Sequence, residues 1–180
     1  FSDFLGQYIS MTPGRFIDID NGKVLGKHLG KEVVTAGQGA RISGLKTKYF
    51  VVAHDCDTSM FLGRPEQEGD VLVAAGSDHP ALFSKQMLVD VDEFAWVSGS
   101  CPDTLQLEGG TLSGLKCKAR YNQSPVECQV TRRQNRLLVS FRTDQRSLTA
   151  GQVCVLYEGD TCLGGGNILA RDNSKSLFLV

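Results

Sequence analysis

Residues 115–133 read LKCKARYNQSPVECQVTRR, in which apolar and polar side chains alternate on both sides of the turn-forming run NQSP. Because successive side chains of a strand point to opposite faces, this pattern predicts a β-hairpin. The apolar face is predicted to hold Cys117, Ala119, Tyr121, Val126, Cys128 and Val130. The opposite face is predicted to hold Lys116, Lys118 and Arg120.

Comparable short runs continue on both sides of this hairpin. They are MLVDVDEFAWV, RLLVSFR, GQVCVLYE and CLGGGNIL, and turn residues separate nearly every pair. Five or six short strands at this spacing favour an antiparallel barrel or a sandwich, and closure into a barrel removes exposed edges. The glycines at 164–166 predict a bulge or a close approach of two backbones.

The fold class is therefore predicted to be mainly β, with a small α+β central domain at 1–80 and an antiparallel β-barrel at 81–180. Apolar residues at Phe1, Phe4, Leu5 and Tyr8 follow the spacing of one helix face and predict a short packing helix. We place the boundary in the composition break between Gly76 and Val91.

The first domain also contains a predicted β-hairpin. RFIDID and KVLGKH flank Asn21 and Gly22, a pair typical of a two-residue type I′ turn. This turn would pair Ile19 with Val24 and Ile17 with Gly26. Asp18 and Asp20 would then lie on the wetter face, as surface rather than catalytic residues.

Charge is unevenly distributed, although the net charge is only −1. Residues 55–110 carry 11 acidic and two basic side chains, whereas residues 111–180 carry 10 basic and five acidic ones. Any polyanion is therefore expected to bind the second half, and the acidic stretch is interpreted as a solvated surface.

Six cysteines leave two structural interpretations. Three disulfides are one possibility, but most of the cysteines alternate with apolar residues inside predicted strands, which favours buried free thiols. None forms a CxxC pair, and no histidine stands at a zinc-ligand spacing from them. The cysteines are Cys56, Cys101, Cys117, Cys128, Cys154 and Cys162.

Enzymatic signatures are weak in this chain. The segment GARISGLKT differs by one residue from a phosphate-binding loop, but an apolar β-rich run follows it where that loop requires a helix. No histidine lies near a candidate nucleophile in sequence, so no catalytic residues, metal site or bound cofactor are predicted. No apolar run reaches about 18 residues, and no membrane contact is predicted.

Residues 116–136 carry the functional evidence. Six cations stand against Glu127 alone in this stretch, a density expected of a surface that follows RNA phosphates. An ordinary solvated strand face explains the cations equally well. Tyr121 could stack on an unpaired base, although core packing is the slightly favoured alternative.

Three strings in fixed order resemble the tRNA-specific 2-thiouridylase family. They are FSDFLGQYISMTPGRFIDIDNGKVLGKHLG at 1–30, KCKARYNQSPVEC at 116–128 and LTAGQVCVLYEGDTCLGGGNIL at 148–169. The resemblance covers nearly the whole chain and is strongest at 1–54 and 115–168. TAGQGARISGL at 35–45 departs from the family's TIGQR-type string.

The resemblance implies that the chain is the tRNA-binding central and C-terminal part of an enzyme that inserts sulfur at C2 of the wobble uridine. Adenylation with ATP and Mg and persulfide transfer would belong to an N-terminal domain preceding Phe1, served by a sulfur-donor protein. The fragment alone is predicted to be inactive. Arg120, Tyr121 and Gln152 are implied to contact tRNA, and the basic hairpin adds Lys116, Lys118, Arg132 and Arg133.

Two alternatives remain at this point. A stand-alone β-barrel RNA-binding or translation-factor-like module would bind RNA without belonging to an enzyme, and a structural barrel would bind no RNA. The string DHPALF at 78–83 is similar to the mitochondrial branch, so a mitochondrial location is predicted, with bacterial cytoplasm as the alternative.

Overall fold

The computed structural model describes Phe4, residues 6–54 and residues 68–172. The chain divides into two units, Phe1–Leu82 and Phe83–Val180, a division two residues from the predicted boundary. Strands dominate both units, which confirms the mainly β class. Among the described residues, no helix is both long and apolar enough to cross a membrane.

The first unit contains a five-stranded sheet in the order β2-β1-β5-β4-β3. Its strands β1 and β5 are parallel, and its other neighbours are antiparallel. Phe16, Val51, Val71 and Val73 form a buried apolar cluster between these strands. The strands are β1 (Gly14–Asp18), β2 (Val24–His28), β3 (Gly39–Ala40), β4 (Tyr49–His54) and β5 (Val71–Ala75), and 3-10 turns lie at Lys31–Val33 and Pro80–Leu82.

The hairpin between β1 and β2 forms, but its predicted turn and register are wrong. Ile17 pairs with Val24, and a bulge follows Phe16. The backbone N–H of Ile19 donates to the carbonyl of Val73 at 3.0 Å. Ile19 therefore bonds to β5 and does not pair with Val24 as predicted. A longer connection from residue 19 to residue 23 therefore replaces the two-residue turn.

Asp18 is buried, contrary to the prediction of a wet position. Its carboxylate accepts hydrogen bonds from the Tyr49 hydroxyl at 3.2 Å, the Asn21 amide at 3.1 Å and the backbone of Asp20 at 3.0 Å. Burial, followed by the charge of Asp18, raises the pKa of Tyr49. Asp20 is exposed as predicted and lies 3.1 Å from His79 Nε2.

The predicted N-terminal packing helix is described only in part. Phe1 and Leu5 lie outside the described residues. Phe4 and Tyr8 contact each other with ring centroids 5.0 Å apart, but both are exposed. The predicted packing is therefore wrong for these two side chains.

The second unit is a closed antiparallel barrel. Six strands follow the order β11-β8-β9-β10-β6-β12, and pairing between β11 and β12 closes the ring. The short strand β7 adds to β12. The elements are β6 (Phe83–Asp90), β7 (Ala95–Trp96), α1 (Asp103–Gln106), β8 (Thr111–Lys118), β9 (Val126–Arg133), β10 (Arg136–Arg146), β11 (Val153–Glu158) and β12 (Thr161–Asp172).

Close backbone approach at the glycine run is confirmed. A Cβ on Gly164 would stand 2.3 Å from the carbonyl oxygen of Ala95, and one on Gly166 would stand 2.9 Å from the ring of Phe94. Phe94 in turn packs against Trp96, with centroids 4.4 Å apart. These glycines let β12 lie directly against the segment around β7.

The barrel core contains three cysteines as free thiols. Cys117, Cys128 and Cys154 are buried, whereas Cys162 is exposed and Cys101 is half-buried. Hydrogen bonds from the Cys117 thiol to Cys128 and Cys154, followed by burial, raise the pKa of Cys117. Cys56 lies outside the described residues.

These positions predict selective alkylation by iodoacetamide under native conditions. Cys162 is expected to react promptly because it is exposed, and Cys117 is expected to react only after unfolding because its thiolate is inaccessible and disfavoured. Peptide mass spectrometry can assign each site, with the urea-unfolded chain as the control for full reactivity. Early labelling of Cys117 would show that the barrel opens locally.

Candidate nucleic-acid interface

Strands β8 and β9 form the predicted hairpin. The inward face is confirmed at Cys117, Ala119, Cys128 and Val130, all of which are buried in the barrel core. Lys116 is exposed on the opposite face, and it pairs in register with Glu127. The strands therefore alternate as the sequence indicates, with an apolar inside and a charged outside.

Tyr121 departs from this alternation. β8 ends at Lys118, so Tyr121 lies in the following turn, and its side chain is 90% exposed. The favoured core packing of Tyr121 is therefore wrong. The Lys118 ammonium lies 5.5 Å from the centroid of the ring, a distance at which a cation–π contact forms.

The exposed ring of Tyr121 and the adjacent ammonium of Lys118 together suit an unpaired nucleotide. An aromatic face can stack on any base, while a neighbouring cation attracts the phosphate. This arrangement carries no base specificity by itself. It can hold a nucleotide that has left its helix.

Arg120 has a different environment from that of its neighbours. Its Nη2 donates to the carbonyl oxygens of Arg146, at 2.7 Å, and Ser147, at 2.6 Å. Burial lowers the pKa of Arg120, and the neighbouring Arg146 charge lowers it further. The guanidinium therefore joins the turn after β8 to the end of β10.

The loop from residue 147 to residue 152 completes this end of the barrel. Ser147 is buried and has a φ of 52°, in the left-handed region. Its carbonyl also accepts the Thr149 hydroxyl at 3.0 Å. Gln152 follows Gly151, and the backbone of Gln152 exchanges hydrogen bonds with Thr149 and Ile168.

Two side-chain oxygens in this loop are buried without a hydrogen-bond partner in the described part of the chain. They are the hydroxyl of Ser147 and Oε1 of Gln152. Val155 pairs with Lys118 across β11 and β8, and Arg120 donates to the carbonyl of Ser147 in the loop that ends at Gln152. Tyr121, Lys118, Arg120 and the loop of Gln152 therefore lie at the same end of the barrel.

Of the remaining predicted residues, Lys116 lies close to Lys118, whereas Arg132 and Arg133 lie elsewhere on the barrel. Lys116 lies two residues further into β8. Arg132 and Arg133 end β9, six residues from the position that pairs with Lys116, which corresponds to about 20 Å along the strand. Arg132 is half-buried, whereas Arg133 is exposed. The seven predicted residues do not form one continuous patch.

Sequence reasoning missed two cations of β10. Arg146 lies beside Arg120, and Arg142 is 83% exposed and lies 3.6 Å from Glu127. The basic composition of the second half was the only available signal. The pairing of β10 with β9, which decides where these arginines lie, cannot be read from local alternation.

The described residues give no support for a metal site or for a phosphate-binding loop. These residues contain no group of three or more potential metal ligands with suitable geometry. The segment that resembles a phosphate loop leads into strand β4 rather than a helix. Its residues therefore do not fit the phosphates of ATP.

Two family models match the chain. One is described as the tRNA methyl transferase PRC-barrel domain and matches residues 2–62, and the other is described as the aminomethyltransferase beta-barrel domain and matches residues 87–168. The fold and these matches define a tandem of β-domains of a kind associated with tRNA modification.

The chain is also similar to complete relatives. It is 35% identical over 170 residues to mitochondrial tRNA-specific 2-thiouridylase 1 of Gallus gallus, covering 94% of this chain and 37% of that protein. It is 38% identical over 175 residues to tRNA-specific 2-thiouridylase MnmA of Delftia acidovorans, covering 96% and 45%. The human mitochondrial protein is 36% identical over 170 residues, covering 94% and 37%.

The chain belongs to the tRNA-specific 2-thiouridylase family. It spans less than half the length of these curated relatives. The resemblance identified from the three strings is thereby confirmed.

Proposed function

We propose that this chain is the tRNA-binding part of a tRNA 2-thiouridylase, an enzyme that replaces the C2 oxygen of the wobble uridine with sulfur. The observation that carries the proposal is the cluster at one barrel end, where the exposed ring of Tyr121 lies beside Lys118, Arg120 and the loop of Gln152. The names of the relatives support tRNA as the ligand. They do not favour a stand-alone module.

The four side chains at this end of the barrel contact different parts of the tRNA. Tyr121 stacks on an unpaired base, and Lys118 neutralises its phosphate. The Gln152 amide oxygen is buried and lacks a partner among the described residues, and rotation of the side chain on binding exposes it to accept a hydrogen bond from a base or a ribose hydroxyl. Arg120 contacts tRNA with the guanidinium nitrogens that do not hold the carbonyls of Arg146 and Ser147.

We further propose that binding and catalysis are divided between this chain and the part of the relatives that it does not match. The segment at 39–47 does not fit ATP, so the ATP- and Mg-dependent step, the catalytic cysteines and the sulfur-donor protein are assigned to that other part. The isolated chain should therefore bind tRNA without thiolating it. Formation of 2-thiouridine by the isolated chain with ATP and a sulfur donor would contradict this division.

The location is proposed to be mitochondrial. Relatives include both mitochondrial and bacterial proteins, so the family similarity is compatible with either compartment. The DHPALF string at 78–83 is the observation that favours mitochondria. Fractionation of source cells with an antibody against the chain would decide between the compartments.

Binding of unmodified tRNA, followed by fluorescence anisotropy over a range of salt concentrations, tests the interface. Tyr121→Ala is expected to weaken binding about tenfold because one base stack is lost. Lys118→Ala is expected to lower the slope of log K against log salt by about one unit. Lys85→Ala, which removes an exposed cation of β6, is the matched control.

Comparison of these variants with Lys85→Ala separates binding at this end of the barrel from general electrostatic attraction of tRNA. If Tyr121→Ala and Lys118→Ala bind like Lys85→Ala, this end of the barrel is not the tRNA site. If the unaltered chain does not bind tRNA at all, the proposed function is wrong for this part of the enzyme.

A further inference from the structure

A groove of about 540 Å³ lies on the outer face of β8, β9 and β10. The side chains of Leu115, Cys128 and Phe141 are buried in the core beneath it. Its open side is lined by polar groups of three strands. These are Ser113, Lys116, Glu127, Gln129, Ser140 and Arg142.

A bulge in β8 shapes this groove. Leu112 pairs with Val130 and Leu115 pairs with Cys128, so two residues of β8 stand opposite Gln129 alone. Gly114 at this bulge has a φ of 76°, and a Cβ built on it meets no atom within 4 Å.

The carboxylate of Glu127 lies on the strand between two cations of the groove. Glu127 pairs in register with Lys116, and its Oε2 lies 3.6 Å from Nη1 of Arg142. Both members of the contact between Glu127 and Arg142 are well exposed, at 83% for Arg142 and 68% for Glu127. Such a contact contributes little stability and is easily exchanged for another anion.

The groove is continuous with the proposed tRNA interface. Lys116 and Lys118 stand two residues apart on β8, which corresponds to about 6.6 Å on the same face of the strand. Arg142 stands two strands away, about 10 Å across the sheet. A nucleic-acid strand that passes Tyr121 and Lys118 can therefore extend along β8 into the groove.

We propose that this groove binds a second backbone phosphate of the tRNA, between Lys116 and Arg142. Glu127 occupies the position of that phosphate in the free chain, and the phosphate displaces it from Arg142 on binding. The inference rests on the proposed function, because it extends the same RNA strand beyond Tyr121. Arg142 is then an RNA-binding residue that the sequence motifs did not indicate.

A double-mutant cycle in the full chain tests this exchange, with unmodified tRNA as the probe. Arg142→Gln is expected to weaken binding about fivefold and to lower the salt slope by about one unit, because one phosphate contact is lost. Glu127→Gln is expected to strengthen binding about threefold, because the competing carboxylate is removed. In the double variant the gain should vanish, since Arg142 no longer needs to be released.

Lys85→Gln is the matched control, because it removes an exposed cation from β6, a strand that does not line the groove. It should leave tRNA affinity and the salt slope unchanged. Urea unfolding of each variant should match that of the unaltered chain, since all these side chains are exposed.

Two results would overturn the inference. If Arg142→Gln binds like Lys85→Gln while Tyr121→Ala still weakens binding, the groove does not hold RNA, although the proposed function stands. A gain from Glu127→Gln that persists without Arg142 would show a diffuse charge effect instead of an exchange. Loss of the Tyr121 and Lys118 effects as well would count against the proposed function itself.

Discussion

Gly164→Ala is expected to lower the free energy of unfolding by about 3 kcal/mol or more. Gly164 pairs with Leu156 on one side and Trp96 on the other, at a φ of 153° that L-residues rarely adopt. An added Cβ would stand 2.3 Å from the Ala95 carbonyl oxygen and 2.8 Å from the Phe94 ring. The carbonyl belongs to the backbone, so relief requires β7 to move. Urea unfolding measured by circular dichroism reports the loss.

Gly159→Ala provides the matched control in the same barrel. Gly159 has a φ of 59°, but a Cβ there meets no atom within 4 Å. Only the cost of the left-handed conformation applies, about 1 kcal/mol. Equal losses for the two variants would show that contact with β7 contributes nothing and that the backbone conformation explains both.

Arg120→Ala is expected to lower the free energy of unfolding by about 2 to 3 kcal/mol. The substitution removes both hydrogen bonds from Nη2 and leaves the carbonyls of Arg146 and Ser147 without that donor. Ser147 is buried and has a φ of 52°, so the backbone conformation at the position that Arg120 contacts is itself unfavourable. Urea unfolding measures the loss, and hydrogen exchange of the amides at 147–152 should accelerate.

Arg142→Ala is the control for this stability effect. Arg142 is 83% exposed, and its contact with Glu127 is a surface ion pair at 3.6 Å, so the expected change is within about 0.5 kcal/mol. Arg120→Lys keeps the charge but loses the planar fork, and it should recover little of the lost stability. If Arg120→Lys recovers the full free energy of unfolding, the positive charge, and not the pair of hydrogen bonds, stabilises the carbonyls of Arg146 and Ser147.

The strand pattern could be read from the sequence because alternation is a local property. Cys117, Cys128 and Val130 are inside, as their spacing predicts. The errors occur where another segment intervenes. Ile19 bonds to Val73 of β5, and the predicted turn is lost.

The candidate site was only partly predictable for the same reason. Tyr121 was assigned to the inward face because the alternation was continued beyond Lys118, where the strand ends. The pairing of β11 with β8 brings the end of β8 next to the strand that follows Gln152. Arg142 was missed because only the neighbouring strand places it opposite Glu127.

Residue order and spacing were sufficient to indicate the strand content, the inward apolar face of the β8–β9 hairpin and the family. Only the folded chain shows which strands close the barrel, that Arg120 donates to the carbonyls of Arg146 and Ser147, and that Arg142 and Lys116 line the same groove. The physical reason is that strand register and closure pair residues distant in the chain, and these pairings have no local signal.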